Sequence, residues 1–200
     1  MDSAVREADC EAVAARRHDR RRASVRIRSV CPTDAPLLDA LIRGLSLGSR
    51  QRRFHVGIQA VGAVWLERMT HPDPTREHAL VAVATLDGRE VCVAEARSVV
   101  SDDVAEGREF ALVVADGWQG RGIGKTLLLS LGCHAARHGV ERLVGDVLRD
   151  NLAMIGLARG LGYALRRHPA DPRLVRVERP FVALPPALRP PLSLAGQNFI

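Results

Sequence analysis

Residues 119–125 read Gln119-Gly120-Arg121-Gly122-Ile123-Gly124-Lys125, and their types and spacing suggest anion chemistry. The glycines let the backbone approach a ligand without Cβ atoms in the way. A turn that follows a strand and opens a helix offers unpaired N–H groups and the positive end of a helix dipole. Arg121 and Lys125, the only lysine in the chain, add positive charge. On these grounds the turn is a pyrophosphate cradle. Upstream, Glu109 heads an apolar run, 110–115. Strand alternation puts its carboxylate on the face of Ala111 and Val113. A carboxylate there is placed to take a proton through a water.

Two nucleotide-binding readings of the turn fail. A dinucleotide fingerprint is GxGxxG, whereas the glycines here run Gly120-x-Gly122-x-Gly124 and no acidic residue follows at the expected strand end. A phosphate loop of the GxxxxGK[ST] kind matches only at Gly124-Lys125-Thr126, because Gln119 stands where its first glycine belongs.

Other reactive side chains carry less. His134 and His138 lie four apart on an expected helix, which is metal-ligand spacing. Without carboxylate or cysteine partners they read as a solvated or partly buried helix face, and no metal is expected. Cys10, Cys31, Cys92 and Cys133 are scattered, with no CxxC or Cys/His pairing. They read as reduced thiols, in keeping with a cytoplasmic protein. Trp118 reads as packing the loop.

The elements that must position these residues follow from hydrophobic period. Residues 24–30 alternate as a strand, and Thr33 or Asp34 caps a helix to about residue 45. Two short helices are expected at 49–56 and 61–69, ended by His71-Pro72-Asp73-Pro74. Runs 78–86 and 90–100 flank Asp87-Gly88, a hairpin signal, and 109–115 is a further strand. A helix over 122–138 stops at Gly139; strand 143–148, helix 152–161 and strands 164–167 and 174–182 complete the pattern. Strand, helix, strand over 109–148 implies a parallel pair with a right-handed crossover. The expected fold is a mixed, mostly antiparallel α/β sheet with that parallel unit and helices on both faces.

Composition fits one domain. The chain has 200 residues, 46% of them hydrophobic and only 4% aromatic, so aliphatic side chains must fill the core. The net charge is +6, concentrated in residues 16–28, which hold seven arginines and one aspartate. This stretch reads as part of a disordered basic leader, 1–23, because no nucleic-acid motif or stacking aromatics accompany it. Residues 24–183 form the expected domain and 184–200 a proline-rich tail. No secretory signal or membrane span is expected.

The pattern Val113-Val114-x4-Gln119-Gly120-Arg121-Gly122-Ile123-Gly124 resembles the acetyl-CoA motif of the GNAT acetyltransferase superfamily. Asn151, opening a helix that ends in Leu161-Gly162-Tyr163, resembles the family's second cofactor motif. Three stretches are similar to the acetyltransferase domain of bacterial protein-lysine acetyltransferases: Leu45-Ser46-x-x-Ser49-Arg50-x-x-Arg53-Phe54, then 109–122, then Val144-Gly145-Asp146-Val147-Leu148-x-x-Asn151. The resemblance implies transfer of acetyl from acetyl-CoA to an amine, most readily a protein lysine, with Glu109 as general base. It implies that backbone near Val113 and Val114 holds the pantetheine arm and polarises the thioester carbonyl. Asn151 and the turn would complete the cofactor site. The family's tyrosine general acid has no counterpart, since Ala158 occupies its place and Tyr163 reads as packed. Members of this group are often fused to cyclic-nucleotide or synthetase-like domains, and regulation of that kind is expected to be missing or supplied in trans. The other readings are acetylation of a small amine and acyl-CoA sensing without turnover. A monomer or homodimer is expected, with no nucleic acid or membrane partner.

Overall fold

The computed structural model describes residues 17–18, 24–55, 62–102, 104 and 107–181. Strand β1 is Arg17–His18 and β2 is Ser24–Ser29. A 3-10 turn, Pro32–Asp34, leads into helix α1, Ala35–Gly44. Helices α2, Leu47–Phe54, and α3, Ala63–Thr70, follow. The hairpin β3, Glu77–Leu86, and β4, Arg89–Val100, turns at Asp87 and Gly88. Both turn residues have positive φ, 48° and 75°, the requirement of the tight hairpin expected there. Strand β5 is Gly107–Val114, α4 is Ile123–Arg137 and β6 is Arg142–Leu148. Helix α5, Leu152–Gly160, and strands β7, Ala164–Arg167, and β8, Leu174–Pro180, close the domain.

These strands form one eight-stranded sheet in the order β1-β2-β3-β4-β5-β6-β8-β7. Every pair is antiparallel except β5 and β6. Alternation along the strands feeds two cores. One face packs Leu80, Ala82, Phe110 and Leu143 under α4 and α5 through Leu127, Leu128, Leu131 and Ile155. The other packs Val81, Val83 and Val113 under α1 and α3 through Leu38, Ile42 and Met69. Aliphatic residues dominate both, as the composition requires. No helix among the described residues is long and apolar enough to cross a membrane.

Three expectations change in detail. Asp34 occupies the N-cap of α1 yet makes no side-chain cap bond there. Its carboxylate turns back to accept from the Cys31 N–H at 2.8 Å and from both terminal nitrogens of Arg28 at 2.6 Å. A charged fork is a stronger partner than a single amide, so the cap is given up. Arg17–His18, inside the stretch expected to be a disordered leader, pair with Val25 and Ser24. Most of that leader and the proline-rich tail lie outside the described residues. Cys31 and Cys92 are free thiols, but Cys133 is disulfide-bonded rather than reduced. Cysteine pairing follows from proximity in the fold, which scattered spacing does not reveal.

Candidate active site

The parallel pair β5–β6 runs in register for only three residue pairs, from Gly107↔Arg142 to Glu109↔Val144. Beyond Glu109 the strands separate, β5 staying on β4 and β6 on β8. Phe110 and Gly145 meet just past the last paired residues. A Cβ at Gly145 would stand 2.6 Å from the ring of Phe110. The ring fills the space in which β6 would carry a side chain, and it packs edge-on to buried Tyr163 at 5.6 Å. The separation opens a cleft of about 590 Å³. Of the residues predicted from sequence, Glu109, Val113, Val114, Gln119, Gly120, Gly122, Ile123, Gly124, Lys125 and Asn151 all line it.

The turn ends at Gly122, whose φ of 82° places it in the left-handed region as N-cap of α4. No side chain caps this helix end. Its first N–H groups therefore face the cleft as donors, and exposed Lys125 adds a cation. Asn151 lies at the N-cap of α5, where its side chain accepts from the Met154 N–H at 3.2 Å. Arg121 departs from expectation. It does not line the cleft; its guanidinium donates to the Gly117 carbonyl at 2.8 Å and stacks on Trp118 at 4.7 Å. A cation–π contact and a carbonyl within the same turn hold it locally.

The second wall is built from α2, α3 and the opposite sheet face. Arg52, Arg53, Phe54, His55 and Trp65 line it, with Phe54 and Trp65 edge-to-face at 5.3 Å. Beneath them Glu95, 1% exposed, accepts from Arg53 at 3.0 Å and from Arg97. Arg97 continues to Glu77 and to the Met69 carbonyl. Burial works against the Glu95 anion, but the two guanidiniums outweigh it and keep the carboxyl below its usual range. Glu95 pairs in register with Val113, so this chain of charges lies on the face that carries Glu109. Glu109 is half-buried at the vertex where the strands part.

Sequence reasoning missed several groups that shape the site. Asp116 accepts from the Ser46 N–H at 2.8 Å, the Ser46 hydroxyl at 2.9 Å and the Ser49 hydroxyl at 2.7 Å. Gln119 donates to the Ser49 oxygen at 3.3 Å and to the Val114 carbonyl at 3.0 Å. Asp146, also on the cleft, is gripped by Arg176 at 2.9 Å through both oxygens and by His168 at 3.1 Å. The repeated Ser/Arg spacing in 45–54 was the signal for the first cluster, but it did not show the partner. His78, His134 and His138 stack at 3.5 and 3.9 Å on the α4 face, and no group among the described residues could hold a metal ion. Ala158 is fully buried, and burial pushes the Tyr163 hydroxyl pKa up.

A model of the acetyltransferase (GNAT) family matches residues 49–163. Acetyltransferase Pat of Mycolicibacterium smegmatis is 36% identical over 88 residues, 44% of this chain and 26% of that protein. The match thus spans about a quarter of that relative's length. Among solved structures, the GNAT domain of S. lividans PAT superposes with a TM-score of 0.73 at 26% identity, covering 84% of this chain and 97% of that one. A GNAT superfamily phosphinothricin acetyltransferase from Sinorhizobium meliloti, in complex with AcCoA, reaches a TM-score of 0.62 at 17% identity over 78% of this chain and 88% of that one, a likeness of fold.

Proposed function

Since the chain belongs to the acetyltransferase (GNAT) family, whose co-substrate is acetyl-CoA, we propose that it acetylates protein lysine side chains with Glu109 as general base. One observation carries the reading. Glu109 stands at the vertex of the β5–β6 gap, and the glycine turn lines the same cleft. Two of the three stretches that resemble protein-lysine acetyltransferases, and residues 49–54 of the third, fall within the family match, and it is that resemblance that favours a protein acceptor over a small amine.

The chemistry follows from what the two walls offer. A lysine amine is protonated at neutral pH, with a solution pKa near 10.4, and must lose a proton to attack. Glu109 takes that proton, directly or through one water. The neutral amine adds to the thioester carbonyl, whose oxygen is held by β5 backbone near Val113 and Val114. Collapse of the tetrahedral adduct breaks the C–S bond and expels the CoA thiolate, and the extra proton on the attacking nitrogen passes to that thiolate or to water, leaving a neutral amide. A thiolate, with a pKa near 8.5, leaves without a general acid, which accords with Ala158 where a tyrosine would stand. Gly120, Gly122, Ile123, Gly124 and Lys125 hold the pyrophosphate, and Gln119 and Asn151 set the turn and the opposite wall. A cytoplasmic setting, monomeric or dimeric, belongs to the same reading.

Glu109→Gln keeps the shape and removes the base. Turnover at pH 7 should fall about 10²–10⁴-fold with acetyl-CoA affinity little changed. The deficit should narrow at high pH, where more amine is already neutral. A full rate at pH 7 would sink the assigned role. Labelled acetyl-CoA with a whole-cell lysate tests the acceptor: label confined to small molecules would replace the protein acceptor, and tight binding without transfer would favour a sensor.

A further inference from the structure

Helix α2 has eight residues and includes Gly48, well short of the roughly 12–15 residues at which an isolated helix holds itself in water. Its sequence, LGSRQRRF, supplies almost no apolar face, and Leu47 is 61% exposed. The only buried residue of the helix is Ser49, at 6% exposure. A helix normally earns its order from an apolar stripe. Apart from Phe54, which packs on Trp65, this one depends on polar anchors at its two ends.

The first anchor is the turn between β5 and α4. Asp116 opens the 3-10 segment Asp116–Trp118, directly before Gln119 and Gly120. Its carboxylate accepts the three hydrogen bonds from Ser46 and Ser49 described above. Ser46 is the N-cap of α2, and its own hydroxyl oxygen accepts from the Ser49 N–H at 3.2 Å. Gln119 reaches the same Ser49 oxygen from the other side. Burial opposes the Asp116 anion, yet the donors from Ser46 and Ser49 hold its pKa below the usual value. The second anchor is Arg53, locked on buried Glu95. At its C-terminal end α2 presents Arg52, Arg53 and Phe54 to the cleft.

We propose that Asp116 is a positioning residue that couples the pyrophosphate turn to the acceptor wall: filling the turn orders α2 through Ser46 and Ser49. The inference rests on the acetyltransferase reading for the identity of the two ligands. An anion on the turn fixes the backbone that carries Asp116 and Gln119, and both then hold Ser49 in one place. Coupling of this kind is reciprocal, so an ordered α2 also favours the occupied turn.

Hydrogen exchange on the full chain reads the coupling without an acceptor. Adding CoA should slow exchange over 47–54 at least about fivefold in the wild type. Asp116→Ala should abolish that slowing while CoA affinity changes by less than about threefold and acceptor KM rises by about tenfold or more, with kcat nearly unchanged. Ser49→Ala should give the same pattern at smaller size, and it carries the test if Asp116→Ala does not fold. Asp116→Glu should restore part of the protection. Equal CoA protection of 47–54 in wild type and Asp116→Ala would overturn the coupling. So would a wild type that binds CoA without protecting 47–54. A wild type that does not bind CoA at all would overturn the cofactor reading itself.

Discussion

The two walls of the cleft are held by different physics. On one side, consecutive residues of a single turn, led by a positive-φ glycine, aim backbone N–H groups into the cleft. On the other, α2 is tied by charged and hydroxyl side chains to strands and turns distant in sequence. A backbone wall keeps its shape when side chains change, provided the glycine torsions survive. A side-chain wall is only as strong as its least satisfied partner, because each buried polar group that loses its mate costs its full desolvation. The first design suits a ligand common to many enzymes. The second can be rebuilt residue by residue for a particular acceptor.

That contrast can be broken at its largest point by Glu95→Ala. Removing one member of a buried ionic chain leaves Arg53 and Arg97 without their shared carboxylate, and should destabilise the fold by about 3–5 kcal/mol. Chemical denaturation would measure it, and acetyl-CoA affinity in the folded fraction should change little. A loss below about 1 kcal/mol would mean that the α2 wall does not depend on the ion chain.

The opposite wall should respond the other way. Gly122→Val forces a β-branched residue to a φ of 82° and should weaken acetyl-CoA binding at least tenfold, about 1.4 kcal/mol. Gly124 sharpens the point. A Cβ there would meet Leu157, Leu112 and Val114 at 3.5–3.6 Å, ordinary contact distances. Gly124→Ala should therefore bind acetyl-CoA nearly as wild type does, whereas a bulky residue would intrude. Calorimetry that ranks the two variants equally would remove the backbone account of this wall.

The smallest effect lies away from both walls and serves as a control. Burial, then His138 and Arg108, depress His78 to about 4; burial, then His78, His138, Arg108 and Arg137, depress His134 to about 3. Arg28 and the disulfide-bonded Cys133 line the same recess. In the unfolded chain these imidazoles titrate near 6.5. The unfolded state therefore binds more protons below that pH, so this stabilisation is intact above pH 6.5 and is lost as pH falls from 6.5 toward 4 and 3. Partial solvation of the rings reduces the effect to on the order of 1 kcal/mol by pH 5. Melting temperature against pH, compared with His78→Phe, measures it; an identical profile in the variant would show that the stack is not the source.

The same contrast explains what could be read from sequence. Hydrophobic period located β2 to β8 and the helices, though not the two-residue β1, because each is local, and the turn between β5 and α4 could be read because its residues are neighbours in the chain. Arg121, expected at the cofactor, instead contacts Trp118 and the Gly117 carbonyl of its own turn, a local detail that spacing did not announce. The α2 wall could not be read. Ser46 and Asp116 are 70 positions apart, and Arg53 and Glu95 are 42 apart. No spacing rule links such pairs before the sheet brings them together. Asp34 shows the same limit, since its position announced a cap and Arg28 on the neighbouring strand took the carboxylate.

The ring of Phe110 against Gly145 has a consequence for how a ligand is received. Because β6 leaves β5 where the ring lies over Gly145, one edge of 110–114 is a strand edge opened inside the sheet, with no β6 partner beyond Glu109. A ligand whose arm is a string of amides can complete that interrupted ladder as a short guest strand, exchanging hydration for main-chain hydrogen bonds. The opening is created when the protein folds, so such a guest meets a vacancy of fixed width and need not force the strands apart.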